Sequence, residues 1–321
     1  MTMFWTIWIG VITFGTIVGC WLLLKWCLAN KTGVPEGEEM GHEFDGIVEI
    51  NNQLPSWWTN LFYITMVWGV LYLIAYPGIG FSFKGLLGWE SSNQAVLTLE
   101  ESQAQLEEDI AADNLNEYAV AIRIAQERFD PIFAEYAKTP VEQLANNEEA
   151  VQVGKRLFLQ NCAQCHGSDA RGQRGGFPNL TDNDWLYGGS GEKIKETLIK
   201  GRAGVMPGWL DAFGEQGIKE IVAYTLSLSG RKVQENHDAL AQAGKARYAV
   251  CAACHGMDGT GNQMLGAPNL TDNVWLYGGT EPAVTHTLNY GRNGVMPAFD
   301  VTLGEDKVHV VAAYVFSLSN K

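Results

Sequence analysis

"QNCAQCHGSD" at residues 160–169 and "AVCAACHGMD" at residues 249–258 are the two stretches that decide the fold. Each places two cysteines and a histidine within five positions: Cys162, Cys165 and His166, then Cys251, Cys254 and His255. Four of the six cysteines belong to these motifs. A disulfide framework would instead scatter its cysteines through a small scaffold. The repeated motif therefore indicates a chemical site that occurs twice.

The sequence around the motifs is itself repeated. "FPNLTDNDWLYGG" at 177–189 matches "APNLTDNVWLYGG" at 267–279, and "GRAGVMP" at 201–207 matches "GRNGVMP" at 291–297. Each copy closes with an apolar run typical of a helix. Two copies of this length predict two small domains, at 149–232 and 236–321, because a solenoid needs at least three stacked units.

C-x-x-C-H is the attachment signature of c-type haem. The two sulfurs form thioethers with one porphyrin edge, and the adjacent histidine binds the iron. Each copy also supplies a methionine before a proline, and a Met thioether is a common sixth ligand in electron carriers. The sequence therefore predicts two haems with His/Met ligation by His166, Met206, His255 and Met296. A zinc site would need two more ligands per motif.

The assignment of each methionine to an iron has two solutions. Local pairing joins His166 with Met206 and His255 with Met296, and it is the default if each domain is complete alone. The repeats are so alike that an exchanged arrangement, His166 with Met296 and His255 with Met206, stays open. His286 and His309 are further candidate ligands in the second domain.

The first part of the chain predicts a membrane anchor. Residues 4–24 and 57–76 are uncharged apolar runs, and each has about the 20 residues that a helix needs to cross a bilayer. Tryptophans and tyrosines near their ends resemble interfacial aromatic belts. A cleaved signal peptide is disfavoured for the first run, because it lacks a basic n-region and an A-x-A site. "IVGC" at 17–20 resembles a lipoprotein cleavage box and is the minor alternative. We interpret Cys20 and Cys27, at the first apolar segment, as packing residues.

Residues 90–148 read as an acidic helical linker. Residues 90–150 hold 14 of the 36 acidic side chains and only 3 basic ones. A helical spacing of apolar residues over 99–129 predicts an amphipathic helix or helix pair, with a break near Asn114. Because neither repeat is strongly basic, the sequence gives no electrostatic footprint for nucleic-acid binding.

Both repeats resemble class I cytochrome c domains, and with the two predicted transmembrane helices and the helical linker this implies an all-α fold for the whole chain. In that family a proline carbonyl faces the ligand histidine, a role that falls on Pro178 and Pro268. Arg202 and Arg292 are candidates to pair with haem propionates, with solvated loop arginines as the alternative. We interpret the tryptophans and tyrosines at 185, 187, 275 and 277 as pocket walls.

Nearly the whole chain resembles the dihaem subunit, subunit III, of cbb3-type cytochrome c oxidases. The segment "GHEFDGIVEINNQLPSWWTNLFY" at 41–63 carries this resemblance together with the haem motifs. It implies a non-catalytic subunit that passes electrons from a periplasmic donor cytochrome toward a monohaem subunit and the haem-copper catalytic subunit. It also implies a bacterial inner-membrane location, with the haem domains and the N-terminus periplasmic and loop 30–56 cytoplasmic.

Three other classes share some of these features. A membrane-anchored dihaem carrier outside any oxidase would have the same haem motifs. A cytochrome subunit of a periplasmic dehydrogenase would usually have more haem motifs. A dihaem peroxidase would need one iron that is open or ligated by two histidines.

Overall fold

The computed structural model describes residues 3–76, 85–90, 96–173 and 175–320. The chain forms two compact units, residues 1–128 and 129–321. Residues 91–95 of the predicted linker lie outside the described part.

Two long apolar helices dominate the first unit. Helix α1 spans Met3–Leu28 and helix α2 spans Ser56–Ala75. Both are long and apolar enough to cross a membrane, and little of either is buried within the chain. They agree with the predicted spans. Cys20 and Cys27 are exposed on α1, so their role as packing residues stays a prediction.

The segment between the two long helices contains a β-hairpin. Strand β1 (Glu39–Phe44) pairs antiparallel with strand β2 (Ile47–Ile50). The turn uses Asp45 and Gly46, both at positive φ, which is the backbone that a tight hairpin turn requires.

The first two helices that the structure describes in the linker are separated by a short break. Helix α3 (Leu99–Ala111) begins with a capping box between Thr98 and Glu101, an arrangement that satisfies two free backbone N–H groups. Helix α4 runs from Glu117 to Tyr136. The predicted break near Asn114 therefore lies between the two helices.

The second unit consists of short helices and one β-ribbon. In chain order its elements are α5 (Val141–Leu144), α6 (Glu148–Asn161), α7 (Ala163–His166), α8 (Gly191–Lys200), β3 (Arg202–Met206), α9 (Leu210–Leu228), α10 (His237–Arg247), α11 (Ala252–His255), α12 (Glu281–Tyr290), β4 (Arg292–Met296), α13 (Asp300–Leu303) and α14 (Glu305–Ser319). The expected all-α fold is thus met in part: the chain is rich in helices but also forms two small antiparallel sheets.

The closing helix of each repeat packs in the core of the other repeat. Helix α14 packs on α5, α6 and α8, whereas α9 packs on α10 and α12. Glycines allow the close helix crossings: a β-carbon at Gly154 of α6 would lie 2.6 Å from the carbonyl oxygen of Val310 in α14, and one at Gly244 of α10 would overlap the Glu220 carbonyl in α9. Each repeat therefore receives its closing helix from the other repeat.

A two-stranded ribbon joins the two repeats, and along it the chain passes from one core to the other. Strands β3 and β4 pair antiparallel, with Gly204 opposite Gly294 at the centre. Arg202 pairs with Met296 at one end of the ribbon, and Met206 pairs with Arg292 at the other end. The ribbon carries each methionine away from the C-x-x-C-H motif of its own repeat.

We call the two resulting assemblies the first core and the second core, after the C-x-x-C-H motif that each contains. The first core combines α5 to α8 with β4, α13 and α14, and its buried side chains include Phe158, Leu198 and Val311. The second core combines α10 to α12 with β3 and α9, and its buried side chains include Ile221 and Leu288.

Candidate haem sites

Each C-x-x-C-H motif forms a single helical turn. In the first motif, the backbone N–H groups of Cys165 and His166 donate to the carbonyl oxygen of Cys162 at 3.1 and 3.0 Å. The second motif repeats this turn on Cys251. Cys162 is buried and Cys165 is exposed. The first cysteine of this motif therefore packs into the core, while the second faces outward one turn later.

A proline carbonyl fixes the orientation of each histidine. The Nδ1 atom of His166 lies 3.0 Å from the carbonyl oxygen of Pro178, and that of His255 lies 3.0 Å from the carbonyl oxygen of Pro268. A carbonyl only accepts hydrogen bonds, so each Nδ1 carries the proton and the lone pair is on Nε2. This confirms the role expected for the two prolines and leaves Nε2 able to bind a metal.

Burial favours the uncharged forms of Cys162 and His166. Burial, with a smaller contribution from the Cys165 thiol, raises the pKa of Cys162 to about 11. Burial also lowers the pKa of His166, although the hydrogen bond to Pro178 opposes this change. A neutral imidazole is the form of histidine that coordinates a metal. In the second motif, burial likewise raises the pKa of Cys251.

The two methionines occupy the cores that the exchanged arrangement requires. Met296 packs against the first core, which contains Cys162. Met206 packs against the second core, together with Cys251. The packing therefore places each methionine in the core that holds the C-x-x-C-H motif of the other repeat. Which methionine binds which iron stays a prediction.

The two histidines considered as further ligands lie elsewhere. His286 is exposed on α12 and its ring contacts Tyr290 at a centroid distance of 4.9 Å. His309 is buried in α14, where its Nε2 atom lies 2.8 Å from the carbonyl oxygen of Thr139. Helix α14 belongs to the first core, so the sequence reasoning also placed His309 beside the wrong motif.

The tryptophans and arginines have partners within the chain. Trp185 packs against the first core and Trp275 against the second, as expected for pocket walls. The guanidinium of Arg202 lies 4.6 Å from the ring centroid of Tyr187, and that of Arg292 lies 4.4 Å from that of Tyr277. Charge pairing of the arginines with haem propionates stays a prediction.

The sequence reasoning missed the threonines that hold these arginines. The Nε atom of Arg202 donates to Oγ1 of Thr197 at 2.9 Å, and that of Arg292 donates to Oγ1 of Thr287 at 2.9 Å. The signal was present in the repeat, because "TLIKGR" at 197–202 matches "TLNYGR" at 287–292.

The residues brought together fit a covalently attached haem. Each core offers two cysteines one turn apart, an imidazole with Nε2 available and a thioether from a separate strand. Among the described residues, no cluster of three or more His, Cys, Asp or Glu side chains is arranged to hold a metal ion, so a zinc site is not supported there. The fold and site define a c-type cytochrome.

Comparison with known sequences identifies the family. Residues 36–82 match the N-terminal domain of cytochrome oxidase-cbb3, FixP, and residues 149–224 and 239–315 match the family of cytochrome c oxidase, cbb3-type, subunit III. The chain is 41% identical to the cbb3-type cytochrome c oxidase subunit CcoP of Rubrivivax gelatinosus, over 98% of this chain and 95% of that protein. It is 40% identical to the subunit FixP of Bradyrhizobium diazoefficiens, over 87% of this chain and 93% of that protein. The chain belongs to the CcoP/FixP family of electron-transfer subunits of cbb3-type cytochrome c oxidases.

Family membership also gives the two apolar helices a meaning. A cbb3-type oxidase is a membrane complex, and α1 and α2 are suited to anchor the chain in it. The cofactor that the family implies is c-type haem, which agrees with the chemistry of both C-x-x-C-H motifs.

Proposed function

We propose that the chain carries two covalent c-type haems and passes electrons one at a time from a donor cytochrome toward the catalytic part of a cbb3-type oxidase. Each bound haem supplies a reversible one-electron Fe(III)/Fe(II) couple. The observation that carries the proposal is that each core closes its site with both a histidine and a methionine. This ligand set leaves no position for a substrate or oxygen, so the subunit itself is non-catalytic.

We also propose the exchanged ligation, in which His166 and Met296 bind one iron and His255 and Met206 bind the other. Support comes from the packing of Met296 against the core that contains Cys162, and of Met206 against the core on which Cys251 also packs. The carbonyls of Pro178 and Pro268 hold the imidazoles in the tautomer that ligation needs. In this arrangement each iron takes its histidine from one repeat and its methionine, which lies on the ribbon, from the other repeat.

A pair of single-haem variants tests the ligation. Replacing Cys162 and Cys165 by serine leaves only the haem attached at Cys251 and Cys254. In that background, Met206→Leu is expected to abolish the methionine-to-iron charge-transfer absorption of the ferric haem, while Met296→Leu is expected to leave it unchanged. The reverse result would establish local pairing. Equivalent variants at Cys251 and Cys254 supply the reciprocal measurement.

Electron transfer through the subunit is tested in the assembled oxidase. The variant that lacks Cys162 and Cys165 is expected to reduce oxygen at least tenfold more slowly with a soluble cytochrome c as donor. The control is a conservative surface change, Lys195→Arg, which is expected to leave the rate unchanged. Failure of the chain to co-purify with a haem-copper subunit would instead favour a free-standing carrier.

The proposed orientation places the haem cores on the periplasmic side. Haem attachment to C-x-x-C-H takes place there in bacteria, and two spans return the N-terminus to the same side. Loop 30–56, which contains the β1–β2 hairpin, is then cytoplasmic. Cysteines introduced at the exposed Asp45 and Asp211 test this: in intact spheroplasts an impermeant maleimide is expected to label Asp211→Cys and not Asp45→Cys.

A further inference from the structure

Two tyrosine–arginine stacks connect the two cores. Arg202 stacks on Tyr187, and Arg292 stacks on Tyr277, at nearly equal distances of 4.6 and 4.4 Å. All four residues lie in the second unit and are related by the repeat. Their contacts, however, extend from one core into the other.

Each arginine pairs across the ribbon with the methionine of the other repeat, and both residues lie in the same core. Arg202 pairs in register with Met296 and donates to Thr197 of α8, a helix whose Leu198 is buried in the first core. The Arg202 side chain is only 21% exposed, and Glu196 is a weak partner at 3.9 Å. A charge held at a partly buried place is screened less than a surface charge.

Each tyrosine ring contacts the haem loop of the other repeat. A β-carbon at Gly266, which lies between His255 and Pro268, would overlap the ring of Tyr187. A β-carbon at Gly176, between His166 and Pro178, would lie 2.6 Å from Cε1 of Tyr277. Next to the first of these contacts, Gln263 Nε2 donates to the carbonyl oxygen of Trp185 at 3.2 Å. The rings therefore pack against backbone where a larger residue would not fit.

We propose that Tyr187 and Tyr277 are positioning residues that couple the two haem sites. Each ring fixes a guanidinium charge beside one site and holds the haem loop of the other site. A fixed positive charge disfavours the ferric state and so raises the reduction potential of the nearer haem. When one electron passes between the haems, one iron is oxidised and the other reduced, and no proton is required. This inference rests on the proposed function and its exchanged ligation.

The test uses the full chain with both haems bound, and measures the potential of each haem. Their spectra are assigned with Met206→Leu and Met296→Leu. Arg202→Gln is expected to lower the reduction equilibrium constant of the haem attached at Cys162 and Cys165 by about threefold or more, from the Coulomb energy of one charge at an effective dielectric constant near 20. Tyr187→Leu, which releases the guanidinium without removing its charge, is expected to lower it by a smaller factor, and the double variant no further than Arg202→Gln. Tyr187→Phe, which keeps the ring, is expected to retain the original potential.

A second readout follows the cross-repeat contact. Amide hydrogen exchange in residues 262–267 is expected to accelerate at least tenfold in Tyr187→Leu and to stay unchanged in Arg202→Gln. Tyr290→Leu is the matched control, because Tyr290 is 71% exposed and is expected to alter neither measurement.

An unchanged first-site potential in both Tyr187→Leu and Arg202→Gln overturns the proposal, provided that the chains hold two haems. If Tyr187→Leu does not fold, Arg202→Gln and Tyr187→Phe still decide it. Loss of a haem or of Met296 ligation in the unmodified chain contradicts the proposed function instead, so the two failures are distinguishable.

Discussion

At the crossing between its opening and closing helices, the first core buries Val310 and the second core buries Glu220. These residues occupy equivalent positions of the two repeats, and each contributes the carbonyl that meets the glycine of the opposing helix. The opposing helices also differ, because Arg247 of α10 stands at the position that Leu157 holds in α6.

The second core closes with an ion pair where the first closes with apolar contacts. Arg247 Nε donates to a carboxylate oxygen of Glu220 at 2.6 Å, and Gln216 Nε2 donates to the other oxygen at 3.0 Å. The first core instead packs Leu157 among valines of α14. If α9 closed the first core, Glu220 would lose Arg247 and face Leu157. An unpaired Glu220 carboxylate at that crossing would disfavour the packing of α9 on α6.

The largest expected effect comes from removing α14. A chain that ends at Gly304 loses Val308, Val310, Val311 and Val315, all at most 4% exposed. Burial of each contributes about 1.5–3 kcal/mol, so the loss is comparable to the stability of a whole domain, about 5–15 kcal/mol. Hydrogen exchange should show loss of protection in α6 and α8, and retention in α10 and α12. A chain that ends at Ser319 is the control. Loss of protection in α10 would contradict the packing of α14 in the first core.

A smaller effect is expected from adding one methyl group at a crossing. In Gly154→Ala, the new β-carbon would lie 2.6 Å from the Val310 carbonyl oxygen and 2.7 Å from Cβ of Tyr314. Overpacking of this kind costs about 1–3 kcal/mol. Hydrogen exchange should accelerate in α14 for Gly154→Ala and in α9 for Gly244→Ala, so the two variants control for each other. Acceleration in the closing helix of the same repeat would support local packing.

The smallest expected effect is a pH dependence confined to the second core. The hydrogen bond from Arg247, followed by that from Gln216, lowers the pKa of Glu220. A lowered pKa in the folded state means that the stabilisation is present above the unfolded value, about 4.3, and is lost as the pH falls through the folded value. We expect the free energy of unfolding of the second core to fall by about 1 kcal/mol as the pH drops below 5. Hydrogen exchange in α9 and α10 measures this change. Glu220→Gln should remove this dependence, and an equal dependence in α6 and α14 would show that the pair is not its source.

Local pattern was sufficient to predict much of the molecule. The apolar runs at 4–24 and 57–76 correspond to α1 and α2, because length and hydropathy are properties of a continuous segment. The thiols and imidazole of each motif lie on one turn because five residues bring them there. Pro178 and Pro268 were predicted from a resemblance, and both carbonyls are found at their histidines.

Other features could not be predicted from local pattern. The β-hairpin and the β3–β4 ribbon were missed, since a five-residue strand has too few positions to show alternation and the ribbon pairs residues about 90 positions apart. His309 was associated with the second motif because of its place in the sequence, yet α14 belongs to the first core. The stacks of Tyr187 and Tyr277 depend on contacts with Gly266 and Gly176 of the other repeat.

By itself, the amino-acid sequence determined that the chain has two C-x-x-C-H turns, each followed by a Met-Pro, and two apolar helices near its start. Only the tertiary structure decided which methionine and which closing helix pack in the core of which motif. The physical reason is that the repeats have the same hydrophobic periodicity and motif spacing, so either closing helix satisfies the local pattern of either core. The residues that distinguish the two combinations, Glu220 and Arg247 against Val310 and Leu157, lie on different helices and act only when the crossing forms.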